Sequence, residues 1–221
     1  MQLLRVLPLS ALVLALAAPV AGAAGTSGGT PPTGGGAAAS GASGGSIPTG
    51  GAPASAPAPA AGPDRAPSST ARAEIPAAYL RLYRAAARAR GVDWRILAAL
   101  GRNESDHGRS RAPGVRSGLN YARCCAGPMQ FCTVRSCGNT WRAYATDGDR
   151  DGRASVYDPA DAIPAAARLV GALTRQVGAR ADLVLASYNA GPRYAMQHRR
   201  VPPYPETRRY VASALAYIRR L

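Results

Sequence analysis

Along most of the chain, apolar positions recur at helical spacing, and strand patterns are absent apart from short ambiguous runs. Pro76 followed by AAYLRLYRAAARAR predicts a helix that opens at a proline and closes at Gly91. Asp93 is a side-chain cap for a second helix, WRILAALGRNES, ending near Asn103 or Glu104. Pro128 to about Arg135 reads as a short helix, and Asp147 to Asp158 as a polar loop. A long helix then starts at the Asp158 cap, with Pro159 first and Asp161 in the first turn. It runs to Gly178 and tolerates Pro164 because that proline comes early. Further helices are expected from Ala181 to Tyr188, ending at NAGP, and from Pro205 to the C-terminus. The expected fold is a compact, mainly α domain.

Upstream the pattern changes twice. Arg5, the apolar run Leu7–Ala18 and the small residues Ala21-Gly22-Ala23 read as a secretory signal peptide over 1–23. The run is short and broken by Pro8, so no membrane span is expected in the mature chain. Residues 24–71 are almost only Gly, Ala, Pro, Ser and Thr. Such a composition buries too little apolar surface to offset the entropy of ordering, so this segment is expected to be a disordered tether. Residues 72–221 then form one domain, secreted or held at the cell wall.

Composition adds two constraints. All 27 basic residues are arginine, against 12 acidic ones, for a formal net charge of +15. This bias points to GC-rich codon usage as much as to function. A basic exported protein attracts anionic wall polymers, and no nucleic-acid motif is present. Cys124, Cys125, Cys132 and Cys137 are clustered, and in an exported chain they read as two disulfides rather than a zinc site. A bond between the adjacent Cys124 and Cys125 is not expected, which leaves two cross pairings open. His107 and His198 are flanked by polar residues and are expected at the surface.

Within this pattern Glu104 is out of place. It lies four residues after Leu100 and seven after Leu97, on the stripe that faces the core, and at a helix C-terminus. Burial and the helix dipole both favour the neutral carboxyl there, as a general acid requires. A buried acid paired with an arginine is the plain alternative. Three further segments follow Glu104 in order: AGPMQF (126–131), ASYNAGP (186–192) and PETRRYV (205–211). Together with NESDHG (103–108), this series resembles the catalytic domain of soluble lytic transglycosylases, relatives of goose-type lysozyme, here of a secreted actinobacterial type.

The resemblance spans about residues 75–221 and implies a lysozyme-like helical fold. It implies cleavage of peptidoglycan glycan strands between N-acetylmuramic acid and N-acetylglucosamine. Glu104 would be the single catalytic acid and base, giving 1,6-anhydro-muramyl ends with no cofactor needed for the chemistry. It further implies that Ser105 buttresses the site and that Gly127, Met129 and Gln130 line the sugar groove. Tyr188 and Asn189 would face Glu104, the phenol orienting it by a hydrogen bond, and Glu206 would support the site. Pro128 stands where the family usually has Leu, and the cysteine cluster replaces a short Ser/Gly-rich stretch. The rival readings are a hydrolytic muramidase and a non-catalytic wall-binding module of the same fold. A monomer is expected.

A second motif, DGDRDGRASVYD, places Asp147, Asp149 and Asp151 at calcium-loop positions 1, 3 and 5. Arg153 (through its carbonyl), Ser155 and Asp158 follow at positions 7, 9 and 12. The expected ion is structural calcium. Asp158 is shorter than the usual Glu and is also wanted as a helix cap. The competing reading is a carboxylate-rich turn neutralised by Arg150 and Arg153.

Overall fold

The structure is a computed structural model, and it describes residues 65–221. The expected signal peptide and the expected tether up to residue 64 lie outside the described residues. The chain folds as α1 (Ser69–Glu74), α2 (Ala77–Arg90), α3 (Trp94–Ser105), β1 (Cys125–Ala126), β2 (Phe131–Cys132), a 3-10 turn (Arg135–Cys137), α4 (Thr140–Tyr144), α5 (Pro159–Val177), α6 (Ala181–Ala190), α7 (Arg193–His198) and α8 (Pro205–Arg220). The mainly α expectation holds.

Most helix ends form where the sequence places them. Pro76 precedes α2, and Gly91 ends it in the left-handed conformation at φ 64°. The Asp93 and Asp158 carboxylates accept from Arg95 N and Ala160 N, capping α3 and α5. Pro164 sits inside α5 and cannot donate to the carbonyl of Ala160. Gly148 closes over that carbonyl, and a β-carbon there would collide with it.

α3 lies at the centre. Trp94, Ile96 through Gly101, Glu104 and Ser105 are all buried, as expected of a helix covered on nearly every side. α8 and α6 pack against each other, α2 packs on both α3 and α5, and α8 also covers α3. Ala165, Ala166, Ala167 and Val170 of α5 join Leu97, Leu100 and Leu183 in one core. These small alanines let the helix axes approach closely.

Two local elements differ from the sequence reading. Order begins before residue 72: Ser68 caps α1, Ala71 is fully buried, and the Trp94 indole N–H donates to the Arg65 carbonyl at 2.9 Å. Ser68 also bonds Leu221 O and Arg220 O, fastening the start of the domain to its end. The segment after Cys124 is a hairpin, not a helix. β1 and β2 pair antiparallel, Cys125 opposite Cys132 and Ala126 opposite Phe131. Its tip, Gly127–Gln130, closes with Gln130 N donating to Gly127 O, and both end residues have positive φ, 80° and 47°. Two left-handed residues in four stop any helix.

The disulfide also departs from expectation. It joins Cys132 to Cys137, so neither cross pairing forms. The 3-10 turn brings these two Cα atoms to 6.0 Å, within the range a disulfide spans. The closure is local and needs no partner from β1.

Candidate active site

Glu104 sits in the last turn of α3 and is 8% exposed. Its Oε1 accepts a hydrogen bond of 2.6 Å from the hydroxyl of Tyr210 on α8. The neighbouring Asn103 sets this contact. Its amide donates to the Tyr210 carbonyl at 3.1 Å, and its Oδ1 accepts from Ser213 at 3.0 Å, locking α8 along α3. The Asn103 side-chain amide is therefore engaged in the fold.

Ser105 ties the same turn of α3 to the hairpin tip. Its hydroxyl donates to the Pro128 carbonyl at 2.7 Å and accepts from Gly108 N at 2.8 Å. Gly127 is required at the tip, because its φ is 80° and an added β-carbon would overlap the Val156 carbonyl oxygen. The Gln130 side-chain amide donates to Gly127 O at 2.8 Å, bracing the turn, while Gln130 itself stays partly exposed. Met129 lies differently from the expectation. Its side chain is fully buried in the core rather than lining a groove.

Tyr188 and Asn189 are also placed differently. The Tyr188 hydroxyl donates to the Met129 carbonyl at 2.8 Å, so the phenol that bonds Glu104 is that of Tyr210. Asn189 accepts from Thr207 at 2.8 Å, joining α6 to α8. Both are connectors that hold the walls around Glu104. Tyr188 remains electrostatically close to it: burial first, then the charge of Glu104, pushes the Tyr188 phenol well above the usual tyrosine range. The same two causes act on Tyr210, together with its hydrogen bond. Both phenols are thus held in the protonated form, Tyr210 as a donor to Glu104. Glu206 falls in the first turn of α8, where an acid complements the dipole.

Sequence reasoning missed Tyr210. The signal was present in PETRRYV: Thr207, Val211, Ala214 and Tyr217 are the buried residues of α8, and Tyr210 is three residues from Thr207 on that face.

His107 is not a surface histidine. It is 1% exposed, with Nδ1 3.1 Å from the Tyr83 hydroxyl and Nε2 3.2 Å from that of Tyr217. The backbone turns through left-handed Asp106, His107 and Gly108, which folds the ring back under α3. Burial, followed by the charge of Arg109, lowers its pKa from 6.5 to about 4. His198 is exposed, as expected.

The calcium-type loop is assembled in part. Carboxylate oxygens of Asp147, Asp149 and Asp151 lie within 4.8 Å of one another, all exposed. Asp158 is outside this group, because its carboxylate caps α5. Backbone amides organise the loop: Asp147 accepts from Asp151 N and Gly152 N, and Asp151 accepts from Arg153 N. Ser155 Oγ accepts from Tyr157 N. Buried Asp161, which the sequence reading used only as a helix residue, closes the loop by accepting from Gly148 N and Ser155 N at 2.8 Å each. Among the described residues no arginine forms an ion pair with the three clustered aspartates, so Arg150 and Arg153 do not neutralise them in this way. At Asp149 a backbone bond from Asp151 lowers the pKa. Desolvation and the charges of Asp151, Asp161 and Asp158 outweigh it and raise the net value. Three hard oxygen donors in one turn fit a calcium ion, with the remaining positions left to water or carbonyls.

Among the described residues, no helix is long and apolar enough to cross a membrane. A concavity of about 160 Å³ lined by Arg90, Tyr144, Arg168, Gly171 and Arg175 shares no residue with the Glu104 site.

Comparison with curated proteins found no match. The family model described as "Transglycosylase SLT domain" matches residues 81–209, a span that holds Glu104, the hairpin, the aspartate loop and Tyr188 and ends one residue before Tyr210. With that span covering more than half of the chain, the protein belongs to the transglycosylase SLT domain family, whose activity is of the lytic transglycosylase type on cell-wall peptidoglycan.

Proposed function

We propose that this chain cleaves the β-1,4 bond between N-acetylmuramic acid and N-acetylglucosamine with Glu104 as its one acid and base. The observation that carries the reading is the buried Glu104 carboxyl, fixed at 2.6 Å by the Tyr210 hydroxyl beside the Gly127–Gln130 tip. Glu104 donates its proton to the glycosidic oxygen as the bond breaks. The resulting carboxylate takes the proton of the muramyl O6 hydroxyl, whose oxygen attacks the anomeric carbon and closes the 1,6-anhydro ring. The substrate N-acetyl group stabilises the cationic centre, a role held by a second carboxylate in most glycosidases. Tyr210 keeps the carboxyl oriented through both steps.

Replacing Glu104 with Gln keeps the shape and removes the proton. Clearing of purified sacculi is expected to fall by ~10²–10⁴-fold with the fold retained by circular dichroism. Equal clearing by both proteins would remove Glu104 from the chemistry. No clearing by the wild type would favour the wall-binding reading.

The remaining readings belong to the same proposal. The signal peptide exports the chain to the wall, the Gly/Ala/Pro/Ser-rich segment ahead of Arg65 tethers the domain, and it acts as a monomer. Its net positive charge is what anionic wall polymers would be drawn to. Calcium held by Asp147, Asp149 and Asp151 stiffens the loop without entering the reaction.

A further inference from the structure

The four cysteines divide unexpectedly. With Cys132 bonded to Cys137, Cys124 and Cys125 are left beside each other, carrying no bond to either. Their sulfurs are 2.6 Å apart, only about 0.6 Å beyond the ~2.05 Å of a disulfide. The surroundings hold this geometry from both ends. Asn120 Oδ1 lies 3.3 and 3.4 Å from the amide nitrogens of Cys124 and Cys125, and Asn120 N donates to Cys125 O at 2.9 Å. Downstream, the Cys124 carbonyl accepts from Thr133 N at 2.9 Å, and Cys125 is in register with Cys132.

We propose that Cys124 and Cys125 form a vicinal disulfide, a redox-labile modification site on the segment that leads into the Gly127–Gln130 tip. The two thiols lose two protons and two electrons to the disulfide of an exported thiol–disulfide oxidant, which leaves as its dithiol; the bond formed is Cys124 Sγ–Cys125 Sγ. This chemistry is independent of glycan cleavage.

Three observations support it. Cys125 is buried while Cys124 is partly exposed, so an oxidant or reductant has one sulfur to attack. Burial, then the neighbouring Cys124, pushes the Cys125 thiol far above the usual range, which keeps it neutral and leaves the partly exposed Cys124 as the sulfur that starts the exchange. A metal would need a third thiolate, and the nearby Cys137 sulfur is bonded to Cys132.

The bond should also be the easier of the two to reduce. Adjacent Cα atoms sit ~3.8 Å apart across a trans peptide, below the ~4.4–6.8 Å that disulfides usually span, and no peptide here is cis. The pair borders the 120–123 turn, which Asn120 anchors to the backbone of these two residues and which carries Tyr121, 71% exposed.

The test is a disulfide map of the full chain prepared by export to an oxidising compartment and alkylated in acid. Trypsin and cyanogen bromide give CCAGPM (124–129), QFCTVR (130–135) and SCGNTWR (136–142). The proposal expects CCAGPM alone, unalkylated and lighter by two hydrogens than its dithiol, with QFCTVR linked to SCGNTWR. Doubly alkylated CCAGPM, or CCAGPM linked to either other peptide, would overturn it. Under graded phosphine reduction, CCAGPM is expected to become alkylated at lower reductant than the linked pair; the reverse order would overturn the lability.

Discussion

His107 offers a quantitative test of how the catalytic end of α3 is held. Its ring is neutral in the folded protein down to about pH 4, whereas in the unfolded chain it takes a proton near the ordinary value of 6.5. Above 6.5 both states hold the same number of protons, and the stabilisation is fully present. Between 6.5 and 4 the unfolded state binds one more proton, so stability falls as the pH falls; below 4 the loss is complete. At ~1.36 kcal/mol per pKa unit, lowering the pKa from 6.5 to about 4 corresponds to roughly 3 kcal/mol. That is a large share of the ~5–15 kcal/mol that ordinarily holds a domain together. The assay is urea unfolding at pH 7, 5.5 and 4 for wild type and His107→Gln, fitted at constant slope. Carboxylates lose stability in both proteins alike, so the difference between the curves isolates the histidine. Wild type should lose about 2–3 kcal/mol more than the variant between pH 7 and 4. Parallel curves, or an imidazole titrating near 6.5 by NMR, would refute the reasoning. Because His107 follows Glu104 by three residues, acid should also reduce cleavage before global unfolding.

Further outcomes follow from the same geometry. Tyr210→Phe removes a bond to a carboxylate worth about 1.5–3 kcal/mol, so kcat/KM is expected to drop roughly 10–100-fold. Tyr188→Phe, which loses a bond to Met129 O instead, should act mainly on the melting temperature; a reversed pattern in the two variants would contradict the assignment. Gly127→Ala forces a side chain into a left-handed position against Val156 O and should cost at least ~2 kcal/mol in chemical denaturation. Calcium at a hundredfold excess over its Kd should add about 2.7 kcal/mol to unfolding, an effect lost in Asp147→Ala. An unchanged midpoint with and without chelator would reject the ion.

Long capped helices were legible because their punctuation is local: Pro76 and Gly91 bracket α2, and Asp158 with Pro159 opens α5. α4 and α7 were not, since five and six residues carry too little periodicity, and the α4 cap, Asn139, is itself left-handed at φ 45°. The hairpin escaped notice because strands of two residues show no alternation, and its turn depends on Gln130 adopting a positive φ. In the site, Glu104 was visible as an acid on an apolar stripe. Which tyrosine bonds it was not, because that depends on how α8 lies across α3 through Asn103. His107 misled for a related reason: its polar neighbours point outward only because the three left-handed residues turn the ring inward.

The central claim, one carboxyl acting as both acid and base with O6 as the nucleophile, is tested most directly by mass spectrometry of the fragments released from purified sacculi. The account predicts fragments ending in 1,6-anhydro-muramic acid, one water lighter than the hydrolysed product, from wild type and none from Glu104→Gln. Reducing muramic ends from the wild type, or anhydro ends undiminished in the variant, would contradict it.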